Sequence, residues 1–397
     1  MPHYDIAILG GFGHVGLPFG IALAETGRRV VLIDINQRTY DIIANRQMPF
    51  MEEGGEERLG KVLEKNLFLS LDDRSLVGCH YVVVVLGTPV DKHLNPDFVG
   101  LVKFFKGLLP LLSDDQHVVL RSTVYPGTTM EIKKLFEESN LKTSVTFCPE
   151  RILQGKALQE LQTLPQLVGA FDDQSAQDAA NLFHGLSEEI IFLTPLEAEL
   201  AKLFTNSFRY IQFAISNQFY QICVDNSLDF YKIYQAAKAN YPRMQSWPSA
   251  GFAAGPCLFK DTMQLAAFCN NNFYLGHSSM LVNEGLPNFI VTRLKNLYDL
   301  AGKTVAILGM AFKGDIDDPR ESLSYKLQKL LTISARKVLC SDPFVLDPNF
   351  VTEDDAIANA DIVIIGAPHS SYKNLEINTK TKIVVDIWNL FGKGGLF

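Results

Sequence analysis

Two series of short β-branched runs, separated by one long helical stretch, constrain the fold of this 397-residue chain more than any other feature. The runs of the first series end in Gly, Asp or Thr and read DIAILG, RRVVLID, YVVVVLG and HVVLRST. Strands of this kind, apolar throughout, are typical of a parallel sheet that is covered on both faces. VTFCPE and QLVGAF extend the series, so the sequence predicts an N-terminal α/β domain.

The pattern changes at about Pro195. The stretch from Leu196 to Asn226 has apolar residues at helical spacing and contains neither Pro nor Gly, which predicts one long helix. Further helices are predicted in DFYKIYQAAKAN, TMQLAAFC and PNFIVTRLKNLYDLAG, before strand-like runs return as KTVAILG, RKVLCSD, DIVIIG and KIVVDIWN. We therefore predict an α/β fold class, with two doubly wound Rossmann-like domains (1–194 and 301–397) joined by a central helical domain (195–300).

Composition argues against several classes of protein. A formal net charge of -8 argues against non-specific binding to nucleic acid or to anionic membranes. The 6 cysteines are scattered without a C-x-x-C pair, which favours a reducing cytoplasm and argues against a disulfide framework or a metal site. The N-terminus carries Asp5 ahead of its first apolar run and has no basic leader, so we interpret it as a strand rather than a signal peptide. No apolar stretch approaches the length of a membrane span.

A glycine-rich turn follows the first predicted strand and opens a predicted helix. Its residues are Gly11, Phe12, Gly13, His14, Val15 and Gly16. Glycines let a backbone approach a pyrophosphate at a helix N-terminus, and Asp34 ends the second run, where an acid meets the adenosine ribose. An acid there favours NAD over NADP, since it would repel a 2′-phosphate. The alternative is a turn that only packs the helix. Arg38 is a candidate for stacking on adenine, or alternatively a solvated surface charge, and the presence of this cation leaves NADP open.

An ordered set of motifs across nearly the whole chain resembles the UDP-glucose/GDP-mannose dehydrogenases, NAD-dependent nucleotide-sugar 6-dehydrogenases. The motifs are GGFGHVGLP, GTP (which contains Thr88), STVYPGTT, CPERILQGKALQEL, AELAKLFTN, GFAAGPCLFKD and GMAFKGDIDDPRES. The resemblance implies that carbon 6 of a nucleotide-linked hexose is oxidised from alcohol to carboxylate with two NAD per sugar, through a cysteine-bound intermediate. It also implies contacts of Thr88 with the cofactor, a UDP-sugar substrate and a homodimer built on the long central helix.

Cys257 is the candidate nucleophile for such a reaction. A thiolate can add to an aldehyde to give a thiohemiacetal, loss of a second hydride gives a thioester, and water hydrolyses the thioester. Lys260 and the N-terminus of the predicted helix that follows would favour the thiolate, because nearby positive charge lowers the pKa of a thiol. The alternative is that Cys257 is a small buried hydrophobe, as we expect of the other five cysteines.

The resemblance implies catalytic roles for five further residues. Lys202 and Asn206 stand four apart on the predicted long helix, and they would contact the reacting end of the sugar, with the lysine stabilising the oxyanion. The alternative is a solvated helix face. Asp261 would act with the lysine on a water or a proton, or would instead cap the TMQLAAF helix. Glu150 would serve as the base in thioester hydrolysis, and Thr123 would hold the water near the nicotinamide.

Substrate and cofactor contacts are implied for several cations. Lys313 would contact the substrate diphosphate, Arg320 would reach the cofactor, and Arg243 would cross a dimer interface to the partner's sugar site. Each is alternatively an ordinary surface charge. The whole set of implied substrate-binding residues is Glu150, Arg151, Lys202, Asn206, Arg243, Gly251, Phe252 and Lys313.

Two departures from the family's pattern bear on the substrate. Ala253, Ala254 and Pro256 stand where glycines are usual, and Trp388 stands where many members have an arginine. The CPER…LPQLVG segment looks more like the branch that acts on UDP-N-acetylhexosamines, but the hexose stays open between these and glucose. Two other functions also stay open: a two-electron sugar or hydroxy-acid dehydrogenase in which the cysteine is structural, and a non-catalytic nucleotide-sugar sensor.

Overall fold

The computed structural model describes residues 3–87 and 98–394. The chain divides into two compact units, Met1–Thr205 and Asn206–Phe397. The division falls inside one helix of 31 residues, α8 (Pro195–Asp225), which is the long helix that the sequence predicts. The predicted fold class, two Rossmann-like sheets with a helical segment between them, is confirmed by the structure.

The first unit is built on a sheet in the order β3-β2-β1-β4-β5-β6-β7-β8. Its strands are β1 (Ile6–Leu9), β2 (Val30–Ile33), β3 (Leu67–Ser70), β4 (Tyr81–Val84), β5 (His117–Leu120), β6 (Ser144–Phe147), β7 (Gln166–Gly169) and β8 (Ile190–Leu193). Its helices before α8 are α1 (Gly16–Glu25), α2 (Gln37–Ala44), α3 (Gly55–Val62), α4 (Phe98–Leu108), α5 (Thr128–Glu138), α6 (Ala157–Thr163) and α7 (Asp173–Leu182).

Helices cover both faces of this sheet, as its apolar strands require. Successive residues of β1 point to opposite faces, so Ile6 and Ile8 enter one buried cluster while Ala7 and Leu9 enter another. The expectation of a parallel sheet is wrong at one place, because β7 runs antiparallel to β6. The sequence prediction also missed the edge strands β3 and β8, whose short apolar runs are only partly buried.

The second unit contains the rest of α8 and a parallel sheet in the order β10-β9-β11-β12. The strands are β9 (Thr304–Leu308), β10 (Lys337–Ser341), β11 (Ile362–Ile365) and β12 (Ile383–Val385). The helices are α9 (Phe230–Lys238), α10 (Leu258–Phe268), α11 (Tyr274–Leu297), α12 (Leu323–Ser334) and α13 (Glu353–Asn359). Val305 and Ile307 enter one buried cluster and Ala306 and Leu308 another, so both faces of this sheet are covered as well.

One helix boundary differs from the prediction. The sequence places the start of the last central helix at Pro287, a residue favoured at the first helical position. In the structure α11 begins at Tyr274 and Pro287 lies inside it. Proline removes one intrahelical hydrogen bond, and the buried side chains on either side of it, Leu286 and Ile290, offset that loss through packing. Among the described residues no helix is both long and apolar enough to cross a membrane.

Candidate active site

The glycine-rich turn lies between β1 and α1, at the centre of the first unit's sheet. A Cβ on Gly16 would lie 2.5 Å from the carbonyl oxygen of Gly10, so this glycine lets the helix pack closely on the strand. A Cβ on Gly13 would have only that same oxygen within 4 Å, at 3.7 Å. Packing explains Gly16 but not Gly13. No contact within the protein requires a glycine at position 13, so its presence at this point of the turn fits the close approach of a pyrophosphate.

Asp34 follows β2 and is joined to the glycine turn. One carboxylate oxygen, Oδ2, accepts a hydrogen bond of 3.2 Å from the backbone N–H of Phe12, while Oδ1 accepts from the backbone N–H groups of Ile35 and Asn36. Ile35 is 93% exposed, and Arg38 projects into solvent from the first turn of α2. An acid, an exposed apolar side chain and a cation therefore surround the position where a Rossmann fold holds an adenosine. The residues fit NAD.

The loop between β5 and α5 contains Thr123. This loop is held in place by Glu199, a residue that the sequence prediction missed. Glu199, on α8, is buried and accepts hydrogen bonds from the N–H of Gly127 at 2.6 Å and from the N–H and Oγ1 of Thr129 at 2.8 and 2.6 Å. Burial raises the pKa of this carboxyl, although the three hydrogen bonds oppose the shift. Thr123 itself is half-buried. The sequence contained one signal for Glu199, which is a charged residue within the apolar pattern of AELAKLF.

Glu150 follows β6 and is held on both of its oxygens. Oε1 accepts hydrogen bonds from the N–H groups of Arg151 at 2.7 Å and Ile152 at 3.1 Å, and Oε2 forms an ion pair with Arg121. Burial lowers the pKa of Arg151, whose guanidinium donates to the carbonyl of Pro165. Arg121 is a second residue that the sequence prediction missed.

The remaining predicted residues of the first unit are Lys202 and Thr88. Lys202 is 9% exposed, so a solvated helix face does not describe its position. It lies one turn before Asn206 on α8, as the spacing predicts. Thr88 lies outside the described residues.

In the second unit the structure joins two of the predicted catalytic residues. Asn206 donates from Nδ2 to Oδ2 of Asp261 at 2.5 Å, and both side chains are buried. The ammonium of Lys260 lies 3.6 Å from the other oxygen, Oδ1. The alternative reading of Asp261 as a helix cap is wrong, because α10 begins at Leu258 and Asp261 lies inside its first turn.

Cys257 is the residue that precedes α10, so the helix N-terminus lies directly after it as predicted. Its side chain is exposed, whereas four of the other cysteines are buried. Cys269, immediately after α10, is exposed as well, contrary to the expectation that all five are core residues. Arg320 interacts electrostatically with Cys257. Hydrogen bonds to Asp318 are the main cause that raises the pKa of Arg320, and the charge on Cys257 adds to it.

The turn before Cys257 is closed by aromatic rings. A Cβ on Gly251 would lie 2.2 Å from the Trp388 ring, and a Cβ on Gly255 would lie 2.6 Å from the Phe312 ring. Phe252 is buried, and its ring centroid lies 6.4 Å from that of Trp388. Gly251 and Phe252 can therefore offer a sugar only their backbone groups. Trp388 packs on this turn at the position where the resemblance expects an arginine.

Lys313 lies half-buried in the loop that follows β9, and an acid at the end of β10 fixes that loop. Asp342 accepts hydrogen bonds from the N–H groups of Met310 at 2.6 Å and Ala311 at 2.9 Å, and pairs with Nε2 of His369 at 3.1 Å. Burial opposes ionisation of Asp342, but hydrogen bonds from His369 and from the backbone N–H groups of Val345 and Phe344 outweigh it and lower the pKa to about 2. In the second sheet, the acid that follows the second strand is thus engaged by a histidine and by backbone N–H groups of its own unit.

Comparison with known families gives matches along most of the chain. Three models of the UDP-glucose/GDP-mannose dehydrogenase family match it: the NAD binding domain over residues 4–187, the central domain over 196–284 and the UDP binding domain over 306–393. The chain belongs to this family. The predicted resemblance is confirmed, and so is NAD as the cofactor, because the family's NAD-binding domain is present.

Relatives of this dehydrogenase differ in their named substrates. The chain is 27% identical over 399 residues to a UDP-N-acetyl-D-mannosamine dehydrogenase of Methanococcus maripaludis, covering 96% of this chain and 92% of that one. The structure of a UDP-D-ManNAc dehydrogenase from Pyrococcus horikoshii is similar, with a TM-score of 0.90 at 26% identity, covering 97% of this chain and 95% of that one. A UDP-glucose dehydrogenase from Pyrobaculum islandicum has a TM-score of 0.89 at 24% identity, covering 100% and 95%, so the fold does not separate the two sugars.

The last predicted residue of the second unit, Arg243, lies on the surface. Its guanidinium is 4.5 Å from the ring centroid of Tyr241, and its Nε donates to the Tyr241 hydroxyl at 2.8 Å. An exposed arginine held in one orientation by its neighbour suits recognition of an anion or of another protein surface. Its predicted role in a partner's sugar site remains a prediction.

Proposed function

We propose that this dehydrogenase oxidises carbon 6 of a UDP-hexose from alcohol to carboxylate, in two two-electron steps through a thioester on Cys257. One observation carries the proposal. An exposed cysteine precedes a helix whose first turn holds a buried carboxylate, Asp261, bonded to the amide of Asn206. A two-electron dehydrogenase needs no nucleophile at the start of a helix, and a sensor needs neither group.

The steps balance as follows. The C6 alcohol loses a proton and a hydride to give an aldehyde, and the Cys257 thiolate adds to its carbon to give a thiohemiacetal. Loss of a second hydride gives the thioester, and water then breaks the C–S bond, releasing the acid and the thiolate. NAD, when bound, accepts a hydride in each oxidation. We assign NAD binding to Gly11, Phe12, Gly13, His14, Val15, Gly16, Asp34, Arg38, Thr88, Thr123 and Arg320.

The polar residues take roles that their surroundings allow. Lys202 is mostly buried, and its side chain stabilises the oxyanion that develops at C6. Asn206 orients the C6 group of the sugar. Asp261 handles the proton or water of the first oxidation, since Asn206 and Lys260 hold its carboxylate in place. Glu150 and Thr123 act on the water that hydrolyses the thioester. Arg151, Arg243, Gly251, Phe252 and Lys313 bind the UDP-sugar.

We propose UDP-N-acetyl-D-mannosamine as the first substrate to test, because the relatives at 27% identity carry that name. The sequence of the CPER segment favours the same branch of the family. The enzyme is further proposed to be a homodimer. Four apolar residues of α8 are 42% to 62% exposed and follow heptad spacing, which is typical of a helix that packs on a second copy. They are Phe208, Ile215, Phe219 and Ile222.

A substrate panel tests the proposal. The enzyme is mixed with NAD and, in turn, with UDP-glucose, UDP-N-acetylglucosamine, UDP-N-acetylmannosamine or their galacto epimers, and the NADH released per sugar is counted. Two NADH and a uronic acid are expected from at least one sugar, with the highest kcat/KM for UDP-N-acetylmannosamine. One NADH with an aldehyde or ketone product would overturn the thioester route. Binding of a UDP-sugar without NADH would indicate a sensor.

A further inference from the structure

Arg121 is a buried arginine that the proposed mechanism does not use. It is 1% exposed, and it ends the apolar run HVVL of β5. Its guanidinium carbon lies 4.1 Å from the ring centroid of Phe19 and 5.2 Å from that of Phe183. Arginine is rarely buried to this degree unless its charge is paired, so the nature of the partner decides what Arg121 does.

The two terminal nitrogens of the Arg121 guanidinium donate to the segment that carries Glu150 and to Gln166 on β7. Nη1 donates to the carbonyl of Cys148 at 3.3 Å and to Oε1 of Gln166 at 3.2 Å, while Nη2 donates to Oε2 of Glu150. Gln166 is itself fixed, because its amide donates to the carbonyls of Pro149 and Leu167. Two aromatic rings and two hydrogen-bond acceptors therefore fix the orientation of the guanidinium. Its remaining terminal nitrogen donates to Glu150 from a fixed position.

Glu150 lies at the border between this buried cluster and solvent. Its side chain is 11% exposed, and its other oxygen accepts two backbone N–H groups. A carboxylate fixed at both oxygens cannot rotate away from the remaining exposed edge. A water placed on that edge therefore meets an acceptor whose orientation is already set, which lowers the entropy lost when the water is positioned for attack.

We propose that Arg121 is a positioning residue for the hydrolytic step of the reaction, acting through Glu150. The inference rests on the proposed function. In that step water adds to the thioester carbon, the C–S bond breaks, the Cys257 thiolate leaves, and the water's proton passes by way of Glu150 to solvent. Arg121 itself is buried beneath the surface that a sugar or a water could reach. It sets where the acceptor stands, so its loss slows hydrolysis and not the two oxidations before it.

A double-mutant cycle with rapid-mixing kinetics tests this. Arg121→Lys, Glu150→Gln and the double variant are mixed with NAD and UDP-N-acetylmannosamine, and NADH formation and the mass of the Cys257 adduct are followed. We expect Arg121→Lys to keep a burst of two NADH per site but to slow adduct hydrolysis by about 10-fold or more, because one misplaced group costs that much. In the Glu150→Gln background the same change should alter hydrolysis by less than about 2-fold.

Matched variants separate positioning from folding. Arg28→Lys removes a guanidinium that donates to the carbonyls of Leu182 and Asn181 and does not touch Glu150, so it should leave both phases unchanged. Gln166→Ala loosens the guanidinium while keeping its charge, and should slow hydrolysis in the same direction. If Arg121→Lys does not fold, the hydrolysis rate of Gln166→Ala tests the inference instead.

Two outcomes would overturn the inference while the proposed function stands. In the first, the fold-changes in hydrolysis rate caused by Arg121→Lys and Glu150→Gln multiply in the double variant. In the second, Arg121→Lys slows the NADH burst as much as it slows hydrolysis. Release of one NADH per sugar by the wild-type enzyme would overturn both.

Discussion

Asn206 on α8 donates a hydrogen bond of 2.5 Å to Asp261 on α10, and both side chains are buried. The bond ties the long central helix to the helix that begins after Cys257. It holds in place the carboxylate that we propose for proton transfer, and it also stabilises the second unit. Variants at this pair should show both effects.

Asn206→Ala should lower the free energy of unfolding by about 1–3 kcal/mol, because it leaves a buried carboxylate without its donor. Urea unfolding followed by circular dichroism measures the change. Asn226→Ala is the matched control: that amide donates to the carbonyl of Ile222 in an exposed position just after α8, and its loss should cost less than about 0.5 kcal/mol. Equal costs for the two variants would contradict the finding that the buried pair matters to the fold.

Cys257→Ser should abolish the acid product while UDP-sugar binding stays within about 3-fold of wild type, since an alkoxide is not available at neutral pH to form the ester in place of the thioester. Product analysis and calorimetric titration with the UDP-sugar check the two parts. Cys269→Ser serves as the control, because that cysteine is also exposed and flanks the other end of the same helix. Full turnover by Cys257→Ser would refute the covalent mechanism.

The elements of the fold were predictable where local pattern decides them. The apolar runs of both sheets and the long helix α8 follow from residue spacing alone. The antiparallel placement of β7 does not, because the pairing of Phe147 with Gly169 is made by residues far apart in the sequence. Pro287 misled the prediction for a related reason. The predicted helix began at this proline, but burial of the neighbouring turns against the core extends α11 back to Tyr274.

Prediction of the site residues from sequence is limited in the same way, because contacts between distant residues decide their surroundings. RRVVLID and RKVLCSD are similar runs, and each ends in an acid after a second strand, yet Asp34 stays at the glycine turn while Asp342 is consumed by His369, 27 residues away. Arg121 and Glu199 were missed because their partners lie 29 and 70 residues away in sequence. A charge inside an apolar run signals that a partner exists, but only the fold identifies the partner.

Gly13→Ala and Gly16→Ala should separate cofactor binding from packing. The first should weaken NAD binding by about 10-fold or more without changing stability, since a Cβ there meets no protein atom closer than 3.7 Å and would face the pyrophosphate. The second should lower the unfolding free energy by roughly 1–3 kcal/mol, because its Cβ would lie 2.5 Å from a carbonyl oxygen. NAD titration by fluorescence and urea unfolding without NAD provide the two measurements. The prediction fails if Gly13→Ala binds NAD as tightly as wild type.

Phe208→Glu should convert the proposed dimer to a monomer, because Phe208 is 62% exposed on the apolar stripe of α8 and a charge there would be desolvated by a second copy. Light scattering after size-exclusion chromatography gives the mass directly. Leu346→Glu is the control, since Leu346 is 96% exposed and lies outside the stripe. A wild-type mass of one chain, or an unchanged dimer in Phe208→Glu, would exclude this helix face as the interface.

Asp342 should make stability depend on acid pH. Its pKa is about 2 in the folded protein against an ordinary value of 3.8, so the ionised form is favoured by folding. The stabilisation, about 2 kcal/mol, is fully present above pH 4 and is lost as the pH falls through 2, where the folded form also takes up the proton. Asp342→Asn should therefore be less stable than wild type at pH 7, and the difference should narrow as the pH falls from about 4 towards 2. Urea midpoints at closely spaced pH values measure that difference. A stability gap between Asp342→Asn and wild type that stays constant with pH would refute the assignment of the shift to Asp342.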